Sequence, residues 1–234
     1  MQIDTSFDFR IDAAGKDPDS FSATLRQYHR TLWSKPLPSG RLFNLTANVR
    51  DAYLHHRSEQ GEFILSSDSI IPTFTRWKRM QYLIEQYPEE ENEAFRAIAY
   101  TIGGMMIFPG NKVDGKPTLN AARGFNSRIA DRFDLTLECI RRHYLAAASP
   151  LSETLGRYRE FFGLFGGFRE YVDFFLLQDL VVDNGRAVRF FMPFDNFVGP
   201  SVPSDRVTYS AYRIRSIEFI EARNARIRKS LAEN

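Results

Sequence analysis

Apolar residues recur every three to four positions along much of this chain, the spacing that places them on one face of an α-helix. In the segment Glu89–Phe108, for example, Phe95, Ile98 and Ile102 form such a stripe behind an acidic first turn. Spacing, capping residues and prolines together predict helices over Asp19–Leu32, Thr73–Tyr87, Glu89–Phe108, Ser127–Leu145, Ser149–Leu164, Phe168–Leu180 and Asp205–Ala232.

Three short segments have the pattern of β-strands instead. Residues Phe7–Ile11 alternate apolar and polar side chains as an edge strand does, and Glu62–Ile71 and Ala187–Met192 are also short extended patterns. A few short strands among many helices predict an α+β fold: a mostly helical single domain with a small antiparallel or mixed sheet. We place this domain over residues 1–234, with a loop-rich N-terminal part at 1–60 and a C-terminal helix at 205–232.

The predicted helix Phe168–Leu180 is apolar on nearly every side. A helix of that kind is typical of the centre of a protein, because no polar face is left to meet water. We therefore expect it to be the most buried helix, with Phe174, Phe175 and Leu177 in the core.

The overall composition suits a globular protein and gives little indication of a nucleic-acid partner. Hydrophobic residues make up 43% of the 234 residues and aromatic residues 14%, which is enough for a substantial core. The net charge of +2 is too small to indicate nucleic-acid binding. The C-terminal helix is locally basic, with seven Lys or Arg against four Asp or Glu from Asp205 onward. Its arginines could contact phosphates, but a solvated helix face is the simpler interpretation.

Cysteine usage and hydropathy favour a cytoplasmic protein. The single cysteine, Cys139, excludes an intrachain disulfide and a thiolate metal cluster. The first ten residues lack the basic start and apolar run of an export signal. The longest apolar stretch, Tyr171–Val182, is too short to span a bilayer and contains two aspartates. We expect a cytoplasmic location and no membrane association.

Three carboxylates in the predicted helix Ser127–Leu145 form the first candidate site. Asp131, Asp134 and Glu138 are three and four residues apart, which places them on one helical surface. Grouped carboxylates could hold a divalent cation or act as an acid and a base. Alternatively, they form ion pairs with neighbouring arginines, among them Arg142, which follows Glu138 in the favoured helical order.

The second candidate site combines Asn120 and Arg123, in a polar loop expected to close on the N-terminus of the next helix. Helix N-termini attract anions, and arginine binds phosphate or carboxylate in a bidentate way. The glycines nearby do not have the spacing of a phosphate-binding loop. The alternative is a structural loop in which Arg123 caps neighbouring carbonyl groups.

Four sequence blocks carry a resemblance to known proteins. TIGGMMIFPG, LNAARG, DRFDLTLECIRRHY and FREYVDFFLLQD occur in this order between Thr101 and Asp179. The chain resembles, over most of its length, a family of uncharacterised bacterial proteins known only as a domain of unknown function. The resemblance implies a bacterial cytosolic protein, and it brings no reaction, cofactor or catalytic residue with it.

Two hypotheses about function follow from these residues. In the first, the chain is an enzyme or binding domain that holds an anionic small molecule, possibly a nucleotide, in a charged pocket. Its candidate residues are Arg57, Asn120, Arg123, Asp131, Arg132, Asp134 and Glu138. In the second, the chain is a protein-interaction module without catalytic activity, and its charge clusters are structural. Neither hypothesis assigns a metal or a cofactor.

The arrangement of the candidate residues distinguishes the two hypotheses. Convergence of Arg57, Arg123, Asp134 and Glu138 in one pocket would support a bound ligand. If these four side chains are scattered over the fold, the charged-pocket hypothesis loses its basis. Arg123 is the expected centre of any ligand site.

Overall fold

Four antiparallel strands form the main sheet in the computed structural model, which describes residues 3–47 and 54–233. They pair in the order β1–β2–β3–β4, and a separate two-stranded ribbon joins β5 to β6. The strands are β1 Thr46–Ala47, β2 Leu54–Ser58, β3 Gly61–Ser69, β4 Met105–Pro109, β5 Val181–Val182 and β6 Ala187–Val188.

Ten α-helices surround these sheets within the described residues, which confirms the predicted α+β class. They are α1 Pro18–Phe21, α2 Ala23–Trp33, α3 Gln81–Ile84, α4 Glu89–Ala99, α5 Leu119–Phe125, α6 Phe133–Tyr144, α7 Ser152–Arg157, α8 Arg159–Gly163, α9 Phe168–Phe174 and α10 Arg206–Ala232. None of the helices in the described ranges is long and apolar enough to cross a membrane.

Strand β3 is the centre of the sheet and carries residues that matter for the site below. Leu65 lies opposite Leu54 of β2, and Ser69 lies opposite Met105 of β4. Every residue of β4 is buried. The main sheet therefore has a buried edge next to β3, where the polar side chains of β3 are half-buried.

The prediction of one helix over Glu89–Phe108 was wrong in its second half. Helix α4 ends at Ala99, a 3-10 turn covers Ile102–Gly104, and the remaining residues form β4. A short, fully buried strand is apolar on both faces, so its sequence resembles that of a buried helix. Gly104 marks the change, because a Cβ atom there would lie 2.1 Å from the carbonyl oxygen of Ala99.

The predicted N-terminal strand Phe7–Ile11 is also wrong, since these residues form turns. The side chain of Asp8 accepts hydrogen bonds from the backbone and guanidinium of Arg10, and this local bonding favours a turn. The predicted strand Ala187–Met192 is reduced to the two residues of β6. The prediction of Glu62–Ile71 is confirmed by β3.

Several predicted helices are shorter than expected or are divided. The segment Thr73–Tyr87 contains only a 3-10 turn and the four-residue α3. Ser22 separates α1 from α2 because it has extended backbone angles and caps α2. The prediction Ser127–Leu145 begins too early, since α6 starts at Phe133. The segment Ser149–Leu164 is divided into α7 and α8.

The C-terminal helix is confirmed at its predicted position, and two of its arginines are buried while others face solvent. Asp205 and Thr208 form a capping box at its start. Arg223 has no exposed surface, and Arg213 is also buried. The Arg223 guanidinium donates to the backbone carbonyls of Gly103 and Met105. Some basic residues of this helix therefore bind other elements inside the protein.

The most buried helix is α6, and not the predicted segment Phe168–Leu180. All residues from Phe133 to Ile140 are buried, whereas Asp173 of α9 is exposed. The expected core positions Phe174, Phe175 and Leu177 are nevertheless buried. Helix α6 buries Asp134 and Glu138 along with its apolar residues. Because its sequence contains these charged residues, the sequence pattern did not predict its central position.

Replacing Phe175 with alanine should lower the free energy of unfolding by about 3–5 kcal/mol, because its ring is fully enclosed and its removal leaves a cavity. Chemical denaturation measures this loss. Phe125→Ala is the matched control, since the Phe125 side chain is 84% exposed and its loss should cost little. Equal effects of the two substitutions would contradict the described core.

Candidate functional site

Asn120 and Arg123 lie in helix α5 and not in the predicted loop, because Thr118 caps a helix that begins at Leu119. The guanidinium of Arg123 is fully enclosed and bonded on three sides. It donates from Nε to Thr136 Oγ1 at 2.9 Å, from Nη1 to a carboxylate oxygen of Asp68, and from Nη2 to the carbonyl oxygen of Asp131 at 2.8 Å. Its Cζ atom lies 4.9 Å from the centre of the Phe108 ring. Arg123 therefore joins β3, β4, α5 and α6 through one buried charge.

The turn between α5 and α6 is shaped around this guanidinium. Ala130 and Asp131 have φ angles of 50° and 62°, in the left-handed region that non-glycine residues seldom occupy. The Asp131 amide donates back to the carbonyl oxygen of Arg123 at 3.2 Å. A carboxylate oxygen of Asp131 lies 3.4 Å from Nη2 of the same arginine. The strained turn thus keeps Asp131 beside both Arg123 and solvent.

A cleft of about 230 Å³ opens beside this ion pair. We call it the aspartate cleft, because four carboxylates line it. Its lining consists of Asp17, Asp19, Asp68, Ser69, Tyr100, Asp131 and the segment 71–77. Among these lining residues, Arg76 is the one basic side chain, and it is exposed.

Helix α1 brings two of the four carboxylates to the cleft. Asp17 is the N-cap of this short helix, and α1 packs against β3. Oδ2 of Asp19 accepts a long hydrogen bond, 3.4 Å, from the amide of Ser69. Oδ1 of Asp19 is enclosed and has no hydrogen-bond partner among the described residues. A negative charge on Asp19 is therefore poorly supported by its surroundings.

Burial and neighbouring negative charge both favour the neutral forms of Asp19 and Asp68. Burial, followed by the charge of Asp17, raises the pKa of Asp19 to about 7. Burial also raises the pKa of Asp68 well above its usual value, although the charge of Arg123 opposes this effect. Within one small cleft, Asp19 therefore titrates near neutral pH.

The opposite side of the cleft is aromatic. Phe74, Trp77 and Tyr100 line it, and the rings of Phe74 and Trp77 meet edge to face with centroids 5.4 Å apart. Phe74 has a φ angle of 61°, an unusual value for a bulky residue. Such outliers concentrate at functional sites. The guanidinium of Arg79 lies over the Trp77 ring at 4.7 Å, so this ring already accommodates one cation.

The predicted site residues Arg132 and Asp134 form a separate buried pair, away from the cleft. Their side chains are ion-paired, and both are buried. Arg132 also donates to the carbonyl oxygen of Ser201, and Asp134 accepts from the amide of Phe191 at 2.9 Å. This pair therefore holds the 191–201 loop against the start of α6.

Glu138, Arg57 and Asn120 have partners of their own. Glu138 accepts from Arg141 and Arg142, and these arginines hold its pKa below the usual value despite the opposing effect of burial. Arg57 is exposed on β2. Asn120 donates to Ser66 Oγ and the carbonyl oxygen of Ser67.

The structure consequently brings together three of the seven predicted site residues. Asn120, Arg123 and Asp131 gather at the end of β3, whereas Arg57, Arg132, Asp134 and Glu138 lie in other places. The convergence that would have supported one pocket for an anionic ligand is not found. In addition, the donors of Arg123 are directed to protein oxygens and not to solvent.

Sequence reasoning missed Asp17, Asp19 and Asp68 as site residues. Asp17 and Asp19 had the appearance of ordinary residues at a helix start, which α1 bears out for Asp17. Asp68 follows Ser66 and Ser67 in β3. This run of polar residues at the end of a strand that pairs with the buried strand β4 was the sequence signal that could have indicated a site. The pairing of Asp68 with Arg123 spans 55 positions and leaves no trace in local spacing.

Other depressions of the surface are larger but less distinctive. One of about 590 Å³ is lined by two acidic and two basic side chains, Asp179, Glu218, Arg189 and Arg215, and another of about 680 Å³ has a mixed lining. Within residues 3–47 and 54–233, no group of three or more His, Cys, Asp or Glu side chains is arranged to hold a metal ion.

We expect Arg123→Lys to lower the free energy of unfolding by about 1–3 kcal/mol, because lysine cannot reach Thr136, Asp68 and the Asp131 carbonyl together. Thermal melting measures the loss, and Arg169→Lys, at a side chain that is 74% exposed, is the control. The same melts with and without phosphate or a nucleotide test the original expectation. Weaker anion binding by the Arg123 variant would support a direct ligand role and contradict a purely structural one.

A second prediction concerns pH. The folded-state pKa of Asp19 lies above that of the unfolded chain, so stability falls as the pH rises through about 7. Asp19→Asn removes this dependence. The stability of the variant relative to that of the wild type should therefore increase between pH 5 and pH 8. A gain of about 1 kcal/mol corresponds to a melting shift of roughly 2–4 °C. The exposed Asp195→Asn variant should show no such trend; a difference between Asp19→Asn and wild type that does not change with pH would refute the prediction.

Comparison with known proteins gives a family but no activity. The sequence profile of a family of unknown function, DUF6994, matches residues 3–227. No curated protein and no experimentally determined structure matches the chain. The match includes α5, α6, the aspartate cleft and most of α10. The chain therefore belongs to the DUF6994 family, a family of unknown function.

Proposed function

We propose that this protein binds a small organic cation, an amine or a guanidine, in the aspartate cleft. The observation that carries the proposal is the charge of the lining: four carboxylates border one small cleft. The lining itself contains one basic side chain, the exposed Arg76, and the enclosed Arg123 next to it is already ion-paired. Carboxyl groups therefore outnumber basic groups in the lining, and their ionised forms attract cations.

An anionic ligand, the original expectation, is less well supported. Arg123 was its intended partner, but the guanidinium donates to Thr136, Asp68 and Asp131 and has no exposed surface. A phosphate group would have to displace those partners and approach the carboxylates that remain. Like charges in a site of low polarity repel strongly. The same geometry therefore favours the opposite sign of ligand charge.

The aromatic side of the cleft suits an organic cation. Trp77 and Tyr100 line it, and aromatic ring faces attract ammonium and guanidinium groups. Arg79 and Arg10 already lie over these two rings, at 4.7 and 5.7 Å, which demonstrates the compatibility of the rings with cations. The volume of about 230 Å³ is below the range of roughly 300–1,000 Å³ that drug-sized ligands occupy. The proposed ligand is accordingly a small metabolite or one charged end of a longer molecule.

Thermal melting with a panel of probes tests this proposal. We expect agmatine, 1,4-diaminobutane or methylguanidine to raise the melting temperature, and phosphate, a nucleotide and magnesium chloride not to do so. A ligand at a hundred times its dissociation constant adds about 2.7 kcal/mol of stability. Asp68→Asn should weaken the response, whereas Asp195→Asn, at an exposed site outside the cleft, should preserve it.

Each alternative outcome has a distinct meaning. A response to phosphate or a nucleotide but not to amines would restore the anionic-ligand hypothesis. A response to magnesium alone would assign the cleft to a metal ion. No response to any probe would refute the proposal and favour the alternative of a protein-interaction module.

A further inference from the structure

We propose that the aspartate cleft exchanges a proton on Asp19 for its cationic ligand, and so selects strongly basic cations such as guanidinium or aliphatic ammonium groups. The inference rests on the proposed function, because it specifies how that ligand is taken up and which class of cation is accepted. Weakly basic amines and imidazoles would bind less well above pH 7, where they lose their charge.

The geometry first shows which charges surround Asp19. From its own helix comes Asp17, from β3 Asp68, and from the turn before α6 Asp131. The titratable or charged groups that remain around the cleft are Arg123 of α5, Arg76 of the 71–77 segment and Tyr100 after α4. Two further arginines, Arg79 and Arg10, lie over the Trp77 and Tyr100 rings.

The guanidinium of Arg123, which is enclosed next to the cleft, already interacts with two other carboxylates. Arg123 Nη1 is ion-paired with Asp68, and Nη2 lies 3.4 Å from a carboxylate oxygen of Asp131. Asp19 forms no ion pair in the described structure, and its Oδ1 atom has no hydrogen-bond donor. Asp17 also lacks an ion pair among the described residues, but it is exposed to water. Asp19 is therefore the enclosed carboxylate whose negative charge a proton or an incoming cation would have to balance.

A soft torsion gives a ligand access to this group. The terminal torsion of an aspartate is broad, so the two oxygens exchange positions readily. The bond from the Ser69 amide is 3.4 Å long and opposes such a rotation only weakly. A ligand donor entering the cleft would thus complete the hydrogen bonding of the carboxylate.

Titration near neutral pH makes the exchange measurable. Burial and the charge of Asp17 raise the pKa of Asp19 to about 7 in the empty cleft. An opposite charge within about 4–6 Å lowers the pKa of a carboxyl group by roughly 1–3 units. Below pH 7 the empty site holds the proton and the occupied site does not, so binding releases a proton.

Selectivity for strong bases follows from the same linkage. An aliphatic amine or a guanidine keeps its charge well above pH 7, where Asp19 is ionised. An imidazole, with a pKa near 6.5, loses its charge over the range in which Asp19 becomes free to accept it. Above pH 7, therefore, imidazole binds more weakly than a strong base, because it is mostly uncharged where Asp19 is ionised.

Isothermal titration calorimetry with agmatine tests the inference. At pH 6.0, the apparent enthalpy in two buffers of different ionisation enthalpy gives the number of protons released. We expect close to one proton at pH 6.0 and close to none at pH 8.5. The dissociation constant should fall by up to about tenfold per pH unit between pH 5 and pH 7 and then level off. Imidazole, which is almost entirely uncharged at pH 8.5, should bind far more weakly than agmatine at that pH.

Two variants identify the proton donor. Asp19→Asn should abolish proton release and flatten the pH dependence, while Asp195→Asn should match the wild type. Asp17→Asn removes the nearest like charge and should shift the pH dependence toward lower pH. This second variant, together with the wild-type proton count, keeps the test decisive if Asp19→Asn does not fold.

The outcomes separate this inference from the proposed function. Agmatine binding without proton release, and with an affinity independent of pH, would overturn the exchange and leave cation binding intact. Proton release that persists in a folded Asp19→Asn protein would overturn the assignment to Asp19. Failure of agmatine and the other cations to bind at any pH would overturn the proposed function and this inference together.

Discussion

The enclosed guanidinium of Arg123 is the interaction that connects the sheet to helices α5 and α6 at the cleft. Moving a charge out of water is costly, and the cost is offset only when the charge has close partners. Arg123 meets this requirement with Thr136, Asp68 and Asp131, which belong to three different parts of the chain. The end of β3, helix α5 and the start of α6 must therefore be assembled together, and the left-handed turn at Asp131 is part of that assembly.

The same constraint creates the chemistry of the cleft. One guanidinium serves two carboxylates, so α1 adds Asp17 and Asp19 to a site with no further enclosed cation. Arg223 provides a contrast within the same protein. It is equally enclosed, yet its donors meet the carbonyl oxygens of Gly103, Met105 and Phe175, and burial lowers its pKa to about 9. The buried charge of Arg223, which is bonded to carbonyl groups, connects elements of the fold. The buried charge of Arg123, which is shared between two carboxylates, connects elements and also lies beside a cleft lined by carboxyl groups.

Sequence patterns correctly predicted the helices and strands that are determined by neighbouring residues in the chain. The helix Asp205–Ala232 is defined by its capping box and its length, and β3 by its extended pattern between turn residues. The patterns failed at β4, because a strand buried on both faces has no alternation to detect. They also failed at Phe7–Ile11, where side-chain hydrogen bonds within the segment favour turns. The candidate site was partly visible, since Arg123 and Asp131 were selected by residue type. Asp19 and Asp68 were not, because their roles come from burial and from pairing across the fold.

The carboxyl group of Asp19 is the most direct test of the whole account. With ¹³C-labelled aspartate, NMR spectroscopy follows its carboxyl chemical shift from pH 4 to pH 9, and the missing signal in Asp19→Asn assigns it. The account predicts a midpoint near pH 7 in the empty protein and a clearly lower midpoint with saturating agmatine. A midpoint near the ordinary value of 3.8, unchanged by agmatine, would contradict both the charge balance around Arg123 and the cation site built on it.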